Sequence, residues 1–333
     1  MCRHLLVASF VAVGVFGAGV RAAPPQPASP LVGRWDLTIA TAAGPRPSWL
    51  EVERSGARTL VGRFVGIVGS ARPISKIDVA DNTFTFSIPP QWERGDGDLH
   101  VEGTVEGDRL AGWLTDPAGT RMTWTANRAP ALHRAMPAEW GDPIPVFNGR
   151  DTSDWHAQNG VSQWSVVDHT LTNPRSGVNL VSNQRFTDFA LHVEFRYAAG
   201  GNSGVYLRGR YEVQIEDSSG TEPAVDRLGA IYGFLAPSAD VARKAGEWQV
   251  FDITLAGRLV TVILNGETII SNREIPGITG GALDSDEGAS GPLLLQGDEG
   301  PIEFRKIIVR PALRAAHAPR IRPPSTRTTD PVR

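Results

Sequence analysis

Apolar and polar residues alternate one by one through much of this chain, and a period of two belongs to a β-strand with one buried face. Leu191, Val193 and Phe195 alternate with His192, Glu194 and Arg196. Trp35-Asp36-Leu37-Thr38-Ile39, Trp49-Leu50-Glu51-Val52-Glu53 and Phe84-Thr85-Phe86-Ser87-Ile88 repeat the pattern. Turn pairs such as Ser55-Gly56, Asp81-Asn82 and Asn265-Gly266 end the runs,. With 36 Gly and 25 Pro among 333 residues, apolar stretches are broken too often for long helices,. An all-β fold is predicted, and only Ala239 to Gly246 hints at a short helix.

The chain divides into segments. Arg3 and His4 precede an apolar stretch that ends at Val20-Arg21-Ala22-Ala23. Residues 1–22 read as a secretory signal peptide, the stretch being shorter than the roughly 20 residues of a membrane span. A periplasmic or secreted protein is expected, with no membrane span once the signal is cleaved. The one cysteine, Cys2, falls inside that segment, so the mature chain would have neither a disulfide nor a thiol nucleophile,. Residues 23–30 are a Pro-rich linker, and 31–128 a small antiparallel barrel or sandwich that reads as an accessory domain. Residues 129–143 form a connector, 144–311 a second β domain, and 312–333 a basic, Pro-rich, disordered tail. A net charge of -3 gives no reason to expect a nucleic-acid partner,.

In the second domain several motifs follow one another in order. They are Phe147-Asn148-Gly149-Arg150-Asp151 with Trp155, and Trp164-Ser165-Val166-Val167-Asp168. Next come Asn202-Ser203-Gly204-Val205-Tyr206-Leu207-Arg208 and Tyr211-Glu212-Val213-Gln214-Ile215. Gly229-Ala230-Ile231-Tyr232, Gly246-Glu247-Trp248, Leu295-Gln296-Gly297 and Phe304-Arg305 complete the series. In this set the domain resembles the 3-keto-disaccharide hydrolase family. The resemblance implies a concanavalin-like jelly-roll β-sandwich acting on 3-keto-glycosides, with a separate sugar 3-oxidoreductase supplying the keto group. The chain departs from the family at Glu299, where His is frequent, and at Lys306, where Asn is frequent.

The richest polar constellation surrounds the pair of strands at 202–207 and 211–216. Tyr211, Val213 and Ile215 should face the core, and Glu212, Gln214 and Glu216 the opposite side. A three-residue loop, Arg208 to Arg210, would pair Tyr206 with Glu212 and keep the two faces in agreement. It would also leave Arg208 at the rim near Glu212. A solvated face with ordinary salt bridges is the plain alternative.

For cleavage of a 3-keto-glycoside, the ketone acidifies the C2 proton, so the site needs a base, an enolate-stabilising group and an acid. The candidates are Glu212 or Glu194 as base and Arg208 as oxyanion partner. Asn202, Gln214 and Gln296 would hold hydroxyls. Tyr206, Tyr232, Trp248 and Glu299 are further substrate-contact candidates, the aromatic ones with a core role as the alternative. Asp284, Asp286 and Glu287 form an acidic loop that could take a divalent cation or simply be solvated. A non-catalytic, lectin-like sugar binder is the second reading. A conventional two-carboxylate glycosidase ranks last, because the middle residue of Glu212-Val213-Gln214-Ile215-Glu216 is Gln.

Overall fold

The computed structural model describes residues 29–137 and 139–313. The signal-peptide reading, most of the linker and the basic tail from 314 lie outside the described residues. Among the described residues every regular element is a strand. The stretch from Ala239 to Gly246 is irregular, because side chains take the amide protons a helix would use. Asp240 accepts from the Ala242 amide at 3.0 Å and Gln249 from the Arg243 amide at 3.0 Å,. No helix among these residues is long and apolar enough to cross a membrane.

Eight strands close into an antiparallel barrel. They are β1 (Gly33–Thr41), β2 (Gly44–Ser55), β3 (Thr59–Val65), β4 (Arg72–Ala80), β5 (Thr83–Ile88), β6 (Leu99–Glu106), β7 (Arg109–Thr115) and β8 (Arg121–Arg128). Closure removes free strand edges, and the inward residues, including Trp35, Phe64, Phe84 and Trp124, fill the interior.

Two further antiparallel sheets follow. Their strands are β9 (Ile144–Pro145), β10 (Trp155–Ala157), β11 (Ser165–Val167), β12 (Thr170–Asn173), β13 (Leu180–Phe186), β14 (Phe189–Tyr197) and β15 (Asn202–Leu207). Then come β16 (Tyr211–Glu216), β17 (Gln249–Ala256), β18 (Leu259–Leu264), β19 (Glu267–Glu274), β20 (Gly291–Leu295) and β21 (Ile302–Pro311). The front sheet has the order β10-β13-β20-β15-β16. The back sheet runs β11-β12-β21-β14-β17-β18-β19, with β9 beside β21. The inner faces pack as a sandwich on Phe195, Phe251, Phe304, Val213, Ile215 and Leu295,. Asn265 and Gly266 both have positive φ, 53° and 90°, and close the β18–β19 hairpin,.

The barrel is bound tightly to the sandwich. Trp49 of β2 is fully buried within the sandwich core, edge-on to Phe234 at 5.2 Å between ring centroids. Arg34 of β1 pairs with Glu274 at 2.6 Å, and the Gly281 amide donates to the Ile67 carbonyl at 3.0 Å. The last of these contacts brings the barrel to the edge of a cleft.

Candidate functional site

The β15–β16 hairpin sets the floor of the cleft. Its register pairs Tyr206 with Glu212, Gly204 with Gln214 and Asn202 with Glu216, as the face-matching argument requires. Tyr211, Val213 and Ile215 go into the sandwich core. Glu212, Gln214 and Glu216 point outward into a cleft of about 470 Å³. Asn179, Asn202, Tyr206, Tyr232, Gln296, Asp298 and Glu299 also line it, together with Val68, Gly69 and Trp92 from the barrel.

Glu212 is 3% exposed. Its Oε2 accepts a hydrogen bond from the Tyr206 hydroxyl at 2.9 Å. Its backbone amide donates to Thr279 Oγ1 at 3.0 Å. Gln214 turns its amide nitrogen toward Glu212 Oε1 and the Ser203 carbonyl, both at 3.3 Å. The carboxyl fits only because residue 204 is Gly: a Cβ there would stand 2.3 Å from Glu212 Oε1. Burial pushes the Glu212 carboxyl up to about 8; the Tyr206 hydrogen bond opposes this, while Asp298 and Glu299 add to it,.

The Tyr206 hydroxyl also lies 2.9 Å from the Gly280 carbonyl. It has one proton, so it can satisfy only one acceptor at a time. When Glu212 is charged, the proton goes to the carboxylate. When Glu212 is protonated, Glu212 can donate to the tyrosine oxygen while Tyr206 donates to Gly280. Burial and the adjacent Glu212 push the Tyr206 hydroxyl far up, so it remains a neutral donor.

Around this pair stand acceptors without partners among the described residues. Asn202 Oδ1 and Gln296 Oε1 are both covered and unbonded,. Gln296 is held at the end of β20 by its backbone, whose amide donates to Gly204 O at 2.9 Å and whose carbonyl accepts from Ser203 Oγ at 2.8 Å. Hydroxyl groups would satisfy such acceptors. Glu212, Glu216, Asp226, Asp298 and Glu299 give the cleft five carboxylates, and among the described residues no Lys, Arg or His lines it. Glu216 is balanced by Arg227 at 3.0 Å.

Three candidates are placed elsewhere. Arg208 is no rim residue and cannot serve as oxyanion partner. Its φ of 54° turns the side chain into the interior, where it is fully buried and donates to the Tyr211 hydroxyl at 3.0 Å and the Gly257 carbonyl at 2.8 Å. Glu194 is no base for this cleft. It lies on β14 of the back sheet, bonded to His192 at 3.2 Å and to Arg305. Burial pushes its carboxyl up, but those two bonds outweigh burial and hold it below the ordinary value. Trp248 stacks between Arg196 and Arg305, with guanidinium-to-ring distances of 4.8 and 4.4 Å, and it does not reach the cleft.

Of the two departures from the family pattern, Lys306 stands 3.7 Å from Glu194, away from the site. Glu299 lines the cleft.

The acidic loop does not form a cation cage. Asp284 is taken by Arg210 at 2.7 Å, and Glu287 by Arg258 and the Tyr211 hydroxyl, the latter at 2.8 Å. Among the described residues no group of three or more His, Cys, Asp or Glu side chains is arranged to hold a metal.

The family model described as the 3-keto-alpha-glucoside-1,2-lyase-like domain matches residues 142–310, and the chain belongs to that family. The sandwich lies within this match and the barrel outside it. No curated protein matches the chain. Among solved structures, a protein from Parabacteroides distasonis provisionally described as a glycosyl hydrolase is 30% identical. That match covers 55% of this chain and 92% of the other, with a TM-score of 0.44. Another protein from that organism with the same description is 25% identical over 51% of this chain and 100% of its own, with a TM-score of 0.41. Family and site together support a carbohydrate-active hydrolase.

Proposed function

We propose that the protein cleaves 3-keto-glycosides by elimination and hydration, with Glu212 as the base. The observation that carries this reading is a buried carboxyl with a raised pKa at the floor of a cleft lined by unbonded amide oxygens. A ketone at C3 makes the C2 proton acidic. Glu212 takes that proton, and the electrons of the C2–H bond form an enolate with its charge on O3. The enolate then collapses, restoring the ketone, forming the C1–C2 double bond and expelling the oxygen of the aglycone. That oxygen takes up a proton, which protonated Glu212 supplies. Addition of water across the double bond, OH to C1 and H to C2, makes the net reaction a hydrolysis. Asn202 Oδ1 and Gln296 Oε1 accept from sugar hydroxyls, and the Gln214 amide and Tyr206 hydroxyl orient Glu212.

This reading requires a sugar 3-oxidation upstream, by a separate oxidoreductase. The leader-like residues 1–22 support an exported site of action, periplasmic or secreted.

The test is incubation of the purified protein with a 3-keto-glucoside and with its unoxidised parent, each with and without chelator, following aglycone release. Release from the keto form alone is expected. Equal release from the parent, or saturable binding with no release from either, contradicts the proposal; the latter result is the signature of a lectin-like protein.

The electrostatics give a pH prediction. The base acts only when ionised, so kcat/KM should rise with pH along a limb centred near the Glu212 value of about 8,. Asp298→Asn and Glu299→Gln each remove a like charge that raises Glu212. Both should move this limb to lower pH, as read from the pH–rate profile. A limb that stays in place in both variants would show that these carboxylates do not tune the base.

A further inference from the structure

The barrel lies outside the family match, yet three of its residues line the cleft. Trp92 is the one with a large apolar face, and it is 66% exposed. It sits in residues 89–98, the connection between β5 and β6. This connection is anchored on Arg72, itself only 7% exposed, which pairs with Glu93 at 2.6 Å and donates to the Pro89 carbonyl at 2.9 Å. Glu93 Oε2 accepts the amides of Gln91 at 2.9 Å and Trp92 at 3.2 Å, while Gln91 Oε1 accepts the Ser70 amide at 2.9 Å. The backbone carrying Trp92 is therefore fixed by a buried charge.

The wall is also pressed closely against the sandwich. A Cβ at Gly280 would stand 2.3 Å from the Gly69 carbonyl oxygen, and Gly280 is the residue whose carbonyl faces Tyr206. Tyr232, on the sandwich side, lines the same cleft as Trp92. An exposed tryptophan on a backbone held in this way presents a wide apolar face for a ring to stack on. Asp298 and Glu299 line this cleft as well, and among the described residues no Lys, Arg or His does.

We infer that the barrel completes the active site, with Trp92 forming a platform for the ring of the leaving group. This rests on the proposed reaction, which leaves the aglycone side of the cleft unassigned. A pyranose and an aryl ring offer the same flat C–H-rich or π surface to the indole.

The test compares Trp92→Ala and Trp92→Phe with the unaltered protein on three 3-keto-glucosides whose aglycones are glucose, phenol and methanol. W92A should lose at least about tenfold more kcat/KM on the ring-bearing substrates than on the methyl glycoside, mainly through KM, and W92F should recover most of it. Loss on the disaccharide alone identifies a sugar platform, and loss on the phenyl glycoside alone an aryl one. Equal losses on all three substrates, or none, overturn the inference. If no substrate is cleaved by the unaltered protein, the proposed reaction fails, and the platform is judged by calorimetry with unoxidised cellobiose and methyl glucoside. A tenfold or larger selective weakening of cellobiose binding by W92A supports the platform; equal weakening, or no binding at all, overturns it.

Discussion

Glu212→Gln should lower kcat/KM on a 3-keto-glucoside by about 10²–10⁴-fold, the usual range for a lost general base, while leaving the fold intact. Gln has nearly the same shape, and its carbonyl oxygen can still accept from Tyr206. The same substitution should also change stability in a pH-dependent way. The Glu212 pKa is about 8 in the folded protein against 4.5 ordinarily. The folded state therefore holds a proton that the unfolded state has released across that window, and the stability Glu212 contributes is lost as pH rises from about 4.5 to 8. E212Q has nothing to ionise, so its melting temperature should exceed that of the unaltered protein at pH 9 by more than at pH 4. Thermal melts at the two pH values check this. A difference independent of pH would mean that the carboxyl titrates normally.

The second large effect is expected at the joint between barrel and sandwich. Glu287 is fully buried and accepts from Arg258 Nε at 3.2 Å and Tyr211 at 2.8 Å, and Tyr211 in turn accepts from Arg208. Asp36, on β1 of the barrel, lies against the same carboxylate. Its own burial, then Glu287, push its carboxyl far above the ordinary range, with Arg258 and Arg210 opposing. Glu287→Ala leaves the buried Arg258 guanidinium without its partner, and breaking a pair of this kind costs about 3–5 kcal/mol. Asp36 is then relieved of its neighbour and can ionise, offsetting part of the loss. Chemical denaturation should accordingly rank the variants in a set order. D36N alone changes little, since Asp36 is already protonated. E287A loses several kcal/mol, and the D36N/E287A double variant loses more than the sum of the two. Strict additivity would show that Asp36 does not rescue the joint.

These residues also show what the sequence could and could not convey. Strand faces were readable, because an alternation of two places Tyr211, Val213 and Ile215 on one side and Glu212, Gln214 and Glu216 on the other. The Tyr206–Glu212 register followed from loop length and face agreement. Alternation shows that a strand has a polar side, but not which sheet surface that side belongs to. Glu194 therefore reads as a second candidate base, although β14 carries it on the back sheet, on a different face from Glu212.

Arg208 leaves the rim for a local reason, its φ of 54°. A non-glycine residue with positive φ reverses the direction of its side chain, and nothing in Leu207-Arg208-Gly209 announces that conformation. The acidic loop seemed free because its partners, Arg210 and Arg258, are distant in sequence. The first 128 residues carry no catalytic motif that would mark Trp92. Its one signal was an aromatic residue among Gln91, Glu93 and Arg94 in a polar turn, and only docking of the barrel gives that position meaning.

The most direct test of the account is the fate of the substrate's C2 hydrogen. A 3-keto-glucoside deuterated at C2 is incubated with the protein in ordinary water, and deuterium loss and aglycone release are followed together by NMR. The account predicts that deuterium leaves at the rate of aglycone release, and that E212Q slows both alike. Aglycone release with deuterium retained in the sugar would contradict it, because the C1–O bond would then break without the proton abstraction assigned to Glu212.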